Sequence, residues 1–353
     1  MKYALIGCGR VAVNHLHAAK KNGFELVAVC DVDPLQIDDL FDRAGLSDAE
    51  RGAVRRYADH RSLLAGETLD LVSIATPSGL HAAIALDVME AGVNVLIEKP
   101  VALSISDASK LIETAKRKGV TAGVCHQNRF NLSVQEMRRH LEAGDFGRLS
   151  NAAVTVRWSR GRDYYEQAAW RGTWAEDGGC LMNQCIHGVD LLLWMCGGDL
   201  VSVSGRIRNV QHPYIEGEDV GAATLTFANG VIATVEGTVN VPGDNLEEHL
   251  TLIGETGVMK LGGTSANTVD YSYFENGGSA PLLREETANV YGNGHVSLFR
   301  DFAEAIRQGR DPYVTLEDGK NALAAILSIY RSSQTNAPVT ALPEDFGTMS
   351  MKP

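Results

Sequence analysis

The first thirty-one residues constrain the fold more than any other part of the chain. Tyr3 to Ile6 is a short apolar run of the kind buried in a parallel strand, and Gly7-Cys8-Gly9-Arg10-Val11-Ala12 follows at once. A helical pattern then runs to Gly23, and a second apolar run, Leu26 to Cys30, ends on Asp31. Strand, glycine turn, helix, strand and acid in that order specify a βαβ unit that binds a dinucleotide. Gly7 permits the tight turn, and Gly9 lets the backbone approach a pyrophosphate at the helix N-terminus. Arg10 and Val11 complete the turn, and Ala12 is small enough for close helix–strand packing. Asp31 stands where an acid accepts hydrogen bonds from the adenosine ribose and repels a 2′-phosphate, so NAD is the expected cofactor. A tight turn that binds nothing is the plainer alternative, and the flanking strands and the acid weigh against it.

The α/β alternation continues. Leu71 to Ala75 is a strand, Thr76-Pro77-Ser78 a turn, and a helix containing His81 closes at Gly92. A strand from Val93 to Ile97 runs into Glu98-Lys99-Pro100, and Val120 to Val124 adds another, with Gln127 just beyond. Ligands bind outside the carboxyl ends of such strands. Ala75, Thr76, Pro77, His81, Glu98, Lys99 and Gln127 therefore join Gly7, Gly9, Arg10, Val11, Ala12 and Asp31 as cofactor-side candidates. Lys99 stands where substrate chemistry would take place; a surface Glu-Lys pair is the bland alternative. The sequence leaves the Lys99–Pro100 bond open to cis or trans.

From Leu149 the pattern changes to long alternating strands, among them "VGAATLTFANGVIATVEGTVNV", with Asn229-Gly230 as a hairpin turn. The expected class is α/β. A Rossmann NAD-binding domain covers 1–125, and an α+β substrate-binding and oligomerisation domain with a large, mostly antiparallel open sheet covers 126–353. Two helices near its end are free to pack back on the first domain. Within "TLTFANGVIATVEGTV", Leu225 and Phe227 are placed on one face, with Ala223, Thr224 and Thr226 in smaller, mixed surroundings. A sheet face that needs cover predicts a homodimer or homotetramer.

Inside this domain "GGCLMNQCIHGVDLLLW", Gly178 to Trp194, reads as one mostly apolar helix carrying Asn183, His187 and Asp190. At 3.6 residues per turn, positions 183, 187, 190 and 194 share a face, which predicts a polar stripe on a cleft. A hydrogen-bonded core histidine is the alternative. Just upstream, Arg157, Arg160, Arg162 and Arg171 accompany Tyr164, Tyr165 and Trp170. Arginine suits phosphate or carboxylate, and aromatic rings suit stacking on a base or sugar. Solvated loop charges are the alternative there.

A net charge of −12 argues against a nucleic-acid or anionic-membrane surface as the main partner. No apolar run approaches the length of a membrane span, and no secretory pattern opens the sequence. Six cysteines without a paired spacing suggest reduced thiols in the cytoplasm. Cys180, Cys185 and His187 do not share a helix face, so no metal site is expected.

The GxGxxA turn, "EKP" and the "GG…H..D…W" helix, in that order, resemble the glucose–fructose oxidoreductase / inositol dehydrogenase / MocA family over nearly the whole chain. The resemblance implies an NAD-dependent enzyme that moves a hydride between a sugar or cyclitol carbinol carbon and the nicotinamide. It implies Lys99 and His187 as the catalytic pair, His187 taking the hydroxyl proton across a domain interface. Many members carry an Asp four residues before that His, and this chain has Asn183, which puts the dyad in doubt. Asp190 would orient His187 or the helix. The run "YYEQAAWRGTWAEDGGCLMNQCIHGVDLLLW" is similar to the branch containing UDP-N-acetylglucosaminuronate 3-dehydrogenases. That likeness implies a nucleotide-sugar substrate held by Lys99, Arg129, Arg157, Tyr164, Tyr165, Arg171, Asn183 and His187. An inositol or free-sugar dehydrogenase, an NAD-dependent glycosidase and a non-catalytic NAD-sensing regulator are the competing readings.

Overall fold

The computed structural model describes residues 1–275, 278–286 and 292–352. The chain divides into two compact units. The first comprises Met1–Ala102, Asp107–Cys125 and His295–Lys320; the second comprises Leu103–Ser106, His126–Gly294 and Asn321–Pro353.

The first unit is built on six parallel strands: β1 (Lys2–Ile6), β2 (Glu25–Cys30), β3 (Arg55–Tyr57), β4 (Leu71–Ile74), β5 (Asn94–Ile97) and β6 (Ala122–Val124). Their order, β3-β2-β1-β4-β5-β6, is that of a Rossmann sheet, with its switch point between β1 and β4. β4 is buried throughout, which is why it reads as an unbroken apolar run. Helices α1 (Ala12–Lys21), α2 (Pro34–Arg43), α3 (Asp48–Ala53), α4 (His60–Gly66), α5 (His81–Glu90) and α6 (Ile105–Lys118) connect the strands. Asp33 starts α2, its carboxylate accepting the Leu35 N–H with Pro34 at the first helical position. β3 is only three residues long and gives too little alternation to be read from sequence. The helix Gly294–Gln308 lays Phe299 edge-on to Tyr3 of β1, ring centroids 6.1 Å apart.

The second unit carries β7 (Leu149–Arg157), β8 (Leu200–Arg208), β9 (Val220–Phe227), β10 (Ile232–Thr238), β11 (Glu247–Gly254), β12 (Gly257–Gly262) and β13 (Thr268–Phe274) in the order β13-β12-β11-β7-β10-β9-β8. All neighbours pair antiparallel except β7 with β10. One face is covered: Ala152, Val154 and Val156 of β7 and Leu250 and Leu252 of β11 are buried. The helices of this unit include α7 (Leu132–Glu142), α8 (Arg162–Tyr165), α9 (Cys180–Asn183) and α10 (Ile186–Cys196). Gly188 lets α10 lie down on the sheet, since a Cβ there would stand 2.8 Å from a methyl of Val154.

Two sequence expectations need correction. Ala223 does not sit with Thr224 and Thr226; it shares the buried parity of Leu225 and Phe227, while Ala222, Thr224 and Thr226 are exposed. Strand alternation has period two, and Ala223 lies two residues from Leu225. Nor is Gly178 to Trp194 one helix. It breaks at Gln184–Cys185, where the Cys185 N–H reaches back five residues to the Cys180 carbonyl at 3.1 Å, widening the turn.

Candidate functional site

In the first unit the glycine turn has the geometry of an anion cradle. Gly7 holds φ +92°, and a Cβ on it would collide with the Ala75 backbone at 2.5 Å. Gly9 opens the other way: a Cβ there would meet nothing within 4 Å. Helix α1 begins at Ala12 with no side-chain cap on its N-terminus, leaving backbone N–H groups aimed at whatever lies over the turn. Asp31 accepts the Cys8 N–H at 2.8 Å and the Asp33 N–H at 3.0 Å, so its carboxylate is fixed beside the turn. These residues fit a dinucleotide.

Arg43, which carries no signal in the sequence, donates from α2 to the carbonyls of Cys8, Gly9 and Arg10 at 3.1, 3.2 and 3.3 Å. Thr76 and Pro77 are half-buried after β4, beside buried Ala75. His81, expected on the cofactor, instead places its two ring nitrogens 2.7 and 2.9 Å from the carbonyls of Pro100 and Thr76. It is a brace between two strand ends, and burial lowers its pKa.

Lys99 follows β5, is half-buried, and its bond to Pro100 is cis. Beneath it lies a polar network that sequence reading missed. His15 Nε2 is 2.8 Å from Glu98 Oε1, His15 Nδ1 is 3.0 Å from Ser73 Oγ, and that hydroxyl is 2.5 Å from Tyr3 Oη. The other Glu98 oxygen accepts the Lys99 N–H at 3.2 Å. Burial opposes ionisation of Glu98, but the His15 hydrogen bond and the His295 ring nitrogen 3.8 Å away outweigh that and hold the carboxyl well below its usual range. Cys125 Sγ, with one ligand-type atom each from His15 and Glu98, forms a set within 4.8 Å. Burial pushes that thiol well above its usual pKa, which disfavours the thiolate a metal would want.

In the second unit α10 carries His187 and Asp190, both buried. The Gln127 side-chain amide nitrogen lies 3.5 Å from His187 Nε2, an arrangement that makes the ring nitrogen the acceptor. His126 stands edge-on to His187 at 5.6 Å. Gln127, expected on the cofactor, is thus beside His187. Asp190 meets Arg129: Nε and Nη2 donate to its two oxygens at 2.8 and 2.6 Å, with both residues buried. The same guanidinium lies 5.0 Å from the Trp194 ring. Asp190 and Trp194 therefore hold Arg129 on the helix, and Arg129 is a structural cation here, not an outward-facing substrate contact.

The helix break separates Asn183 from that stripe. Its amide donates to Asp177, and its oxygen accepts from Gln184 at 2.9 Å. Gln184 also donates to Tyr164 Oη at 2.9 Å and accepts from Arg160 Nε at 3.2 Å. Arg171 stacks 4.2 Å from the Tyr164 ring and 4.7 Å from Trp170, so these aromatics and two of the four expected arginines do gather. Arg162 turns away to Glu166 and Tyr214. Tyr165 is buried behind, edge-on to Tyr164. Arg157 does not belong to the group. It points to the open sheet face, donating to both oxygens of Glu236 at 2.8 Å and to Glu247 at 2.5 Å. The period-two alternation of β7 puts it opposite Val156, away from α10.

Two buried acids also escaped the sequence reading. Glu248 of β11 lies under α10 near Gly188, its Oε1 3.5 Å from the Asn128 amide. Glu218 accepts the Leu181 N–H at 2.7 Å and the Tyr330 hydroxyl at 2.9 Å. Burial pushes each carboxyl up to about 8. Glu248 shares the inward parity of Leu250 and Leu252, a signal that could have found it; Glu218 gives none. A cavity of about 350 Å³ at the far end of α10 is lined by Trp194, Arg138 and Arg148, but those arginines are paired with Glu142 and Glu255.

A Rossmann unit with an open glycine turn, joined to a mixed-sheet unit carrying a buried histidine helix, defines a nicotinamide-dependent oxidoreductase. The chain belongs to the GFO/IDH/MocA family: residues 1–126 match the oxidoreductase family's NAD-binding Rossmann fold, and 134–260 match the GFO/IDH/MocA C-terminal domain. It is similar to D-apiose dehydrogenase of Rhizobium rhizogenes, 30% identical over 67% of this chain, and spans 65% of that protein's length. Scyllo-inositol 2-dehydrogenase (NAD(+)) of Bacillus subtilis is 24% identical over 96% of both chains. The WlbA dehydrogenase of Bordetella pertussis, solved in complex with NADH and UDP-GlcNAcA, superimposes with a TM-score of 0.84 at 31% identity, covering 97% of this chain and 99% of that one.

Proposed function

We propose that the protein is an NAD-dependent dehydrogenase of a nucleotide-linked N-acetyl sugar acid. The observation that carries this reading is the pairing of an open glycine turn with a second unit whose helix α10 presents His187 with Nε2 as an acceptor. NAD, when bound, supplies the hydride acceptor. His187 Nε2 takes the proton of the reacting hydroxyl, as a neutral imidazole can. Lys99, at the end of β5, orients that hydroxyl with its ammonium. With Asn183 in place of an acid, no carboxylate at that position polarises His187; Asn183 instead orders the wall formed by Asp177, Gln184 and Tyr164.

The nucleotide-sugar reading is supported by the likeness to WlbA over nearly the full chain and by the Arg160–Tyr164–Arg171 stack. The inositol dehydrogenase likeness keeps a free cyclitol as the second reading. The test is NADH formation with UDP-GlcNAcA, free sugars and inositols under identical conditions. A specificity constant for the nucleotide sugar at or below those of the others rejects the reading.

Two further parts belong to this proposal. The six cysteines are free and buried, as suits the reducing cytoplasm, and no helix among the described residues is long and apolar enough to cross a membrane. The protein forms a homodimer or homotetramer through the open face of the seven-stranded sheet.

A further inference from the structure

Six of the twelve arginines of the second unit are held by carboxylates. Arg129, Arg138, Arg139, Arg148, Arg157 and Arg162 each pair with a carboxylate of Asp190, Glu142, Glu136, Glu255, Glu236 or Glu166. Arg171 is not among these six, and it differs from the other arginines in its rings and its buried Nε. Among the described residues no carboxylate lies within ion-pair distance of it, and its Nε is buried with no hydrogen-bond acceptor. Its guanidinium is stacked on Tyr164 and Trp170 instead. Stacking lowers the energy of the cation but satisfies none of its in-plane N–H groups. A buried N–H without an acceptor is costly, and a chain this acidic could have supplied one cheaply.

The surroundings say what fits. The Tyr164 hydroxyl receives Gln184, and Gln184 receives Arg160 and donates to Asn183, the residue one turn before His187. Arg160 Nε and Nη1 are already used by Gln184, the Ser159 carbonyl and Asn245, which leaves Arg171 as the open fork of the pair. A guanidinium stacked against rings keeps its edge for polar partners, and two parallel N–H groups along one edge match the two oxygens of a carboxylate.

We infer that Arg171, stacked on Tyr164 and Trp170, is the subsite for the carboxylate of the sugar-acid substrate. This rests on the dehydrogenase reading above and adds which group of the substrate selects it. The uronate supplies the anionic partner that the half-buried guanidinium lacks among the described residues, and a neutral sugar does not.

The experiment measures kcat/KM for two acid–neutral pairs: UDP-GlcNAcA against UDP-GlcNAc, and free N-acetylglucosaminuronate against N-acetylglucosamine. Wild-type protein, Arg171→Met and Arg171→Lys are compared, with NAD affinity and thermal midpoint as controls for folding. Wild type is expected to favour the acid by roughly 10²-fold or more, as sites built around a buried polar group do. Arg171→Met should bring the acid-to-neutral ratio close to one. Arg171→Lys, which keeps the charge and loses the fork, should fall between. Equal losses on UDP-GlcNAcA and UDP-GlcNAc overturn the inference, because the guanidinium would then be holding the diphosphate or the loop. An acid preference that persists in Arg171→Met overturns it as well. If only the free sugars turn over and Arg171→Met still erases the acid preference, the carboxylate subsite stands and the nucleotide reading falls.

Discussion

At Asp31 the cofactor choice comes down to one carboxylate fixed on the Cys8 and Asp33 N–H groups, with Arg43 on the carbonyls of the same turn. Removing Asp31 takes away the proposed ribose acceptor and the carboxylate beside the turn, while Arg43 stays there paired with Asp39. Asp31→Ala is therefore expected to narrow the gap between NAD and NADP dissociation constants by roughly 10–100-fold. An unchanged ratio by titration calorimetry would place the discrimination elsewhere. Lys99 and His187 make a second test at this scale. Lys99→Met and His187→Ala should each lower kcat by roughly 10²–10⁴, the span of positioned acid–base groups, while NAD affinity holds. Near-wild-type turnover in either variant removes that residue from the mechanism.

At the scale of elements, α10 is held from two sides. Arg129 clamps Asp190 and Trp194, and Glu248 lies below the helix on β11. Burial raises the Glu248 carboxyl to about 8 in the folded chain, whereas an unfolded chain titrates it near its model value of 4.5. Between those values the native state holds a proton that the unfolded state has released, so stability falls as pH rises from 4.5 towards 8. Glu248→Gln removes that dependence. The variant should lose less stability than wild type between pH 5 and pH 8, by on the order of 2–4 kcal/mol in urea denaturation. Parallel pH profiles for the two proteins would show that Glu248 is ionised in the native state.

For the whole molecule, the proposed assembly rests on the open face of the sheet. A row across it reads Thr226, Ile232, Asn151, Ile253, Val258 and Tyr273, each paired with the next across the ladder. Ile232 and Tyr273 are each 52% exposed. The proposed homodimer or homotetramer would form through this row. Light scattering at micromolar concentration should give a dimer or tetramer mass, and Ile232→Asp with Ile253→Asp should reduce it. A wild-type monomer refutes the assembly.

The Rossmann unit, the mostly antiparallel sheet, and the placing of Lys99 after a strand and His187 on a helix were legible in the chain, because each rests on local patterning. Glycines before a helix, an acid at a strand end and period-two alternation act within a few residues of the chain. The tertiary structure decided the rest. Arg157 and Arg171 look alike in the sequence, yet strand parity sends Arg157 to Glu236, while Arg171, in a turn, stacks on Tyr164. Asn183 left the stripe of His187 because a five-residue backbone bond at Cys185 rotated it towards Asp177. Arg43, His15 and Glu248 acquired partners 33, 83 and 120 residues away. Which partner a charge finds across such a distance depends on how buried surfaces close around it, and that is set by packing the whole unit rather than by any window of sequence.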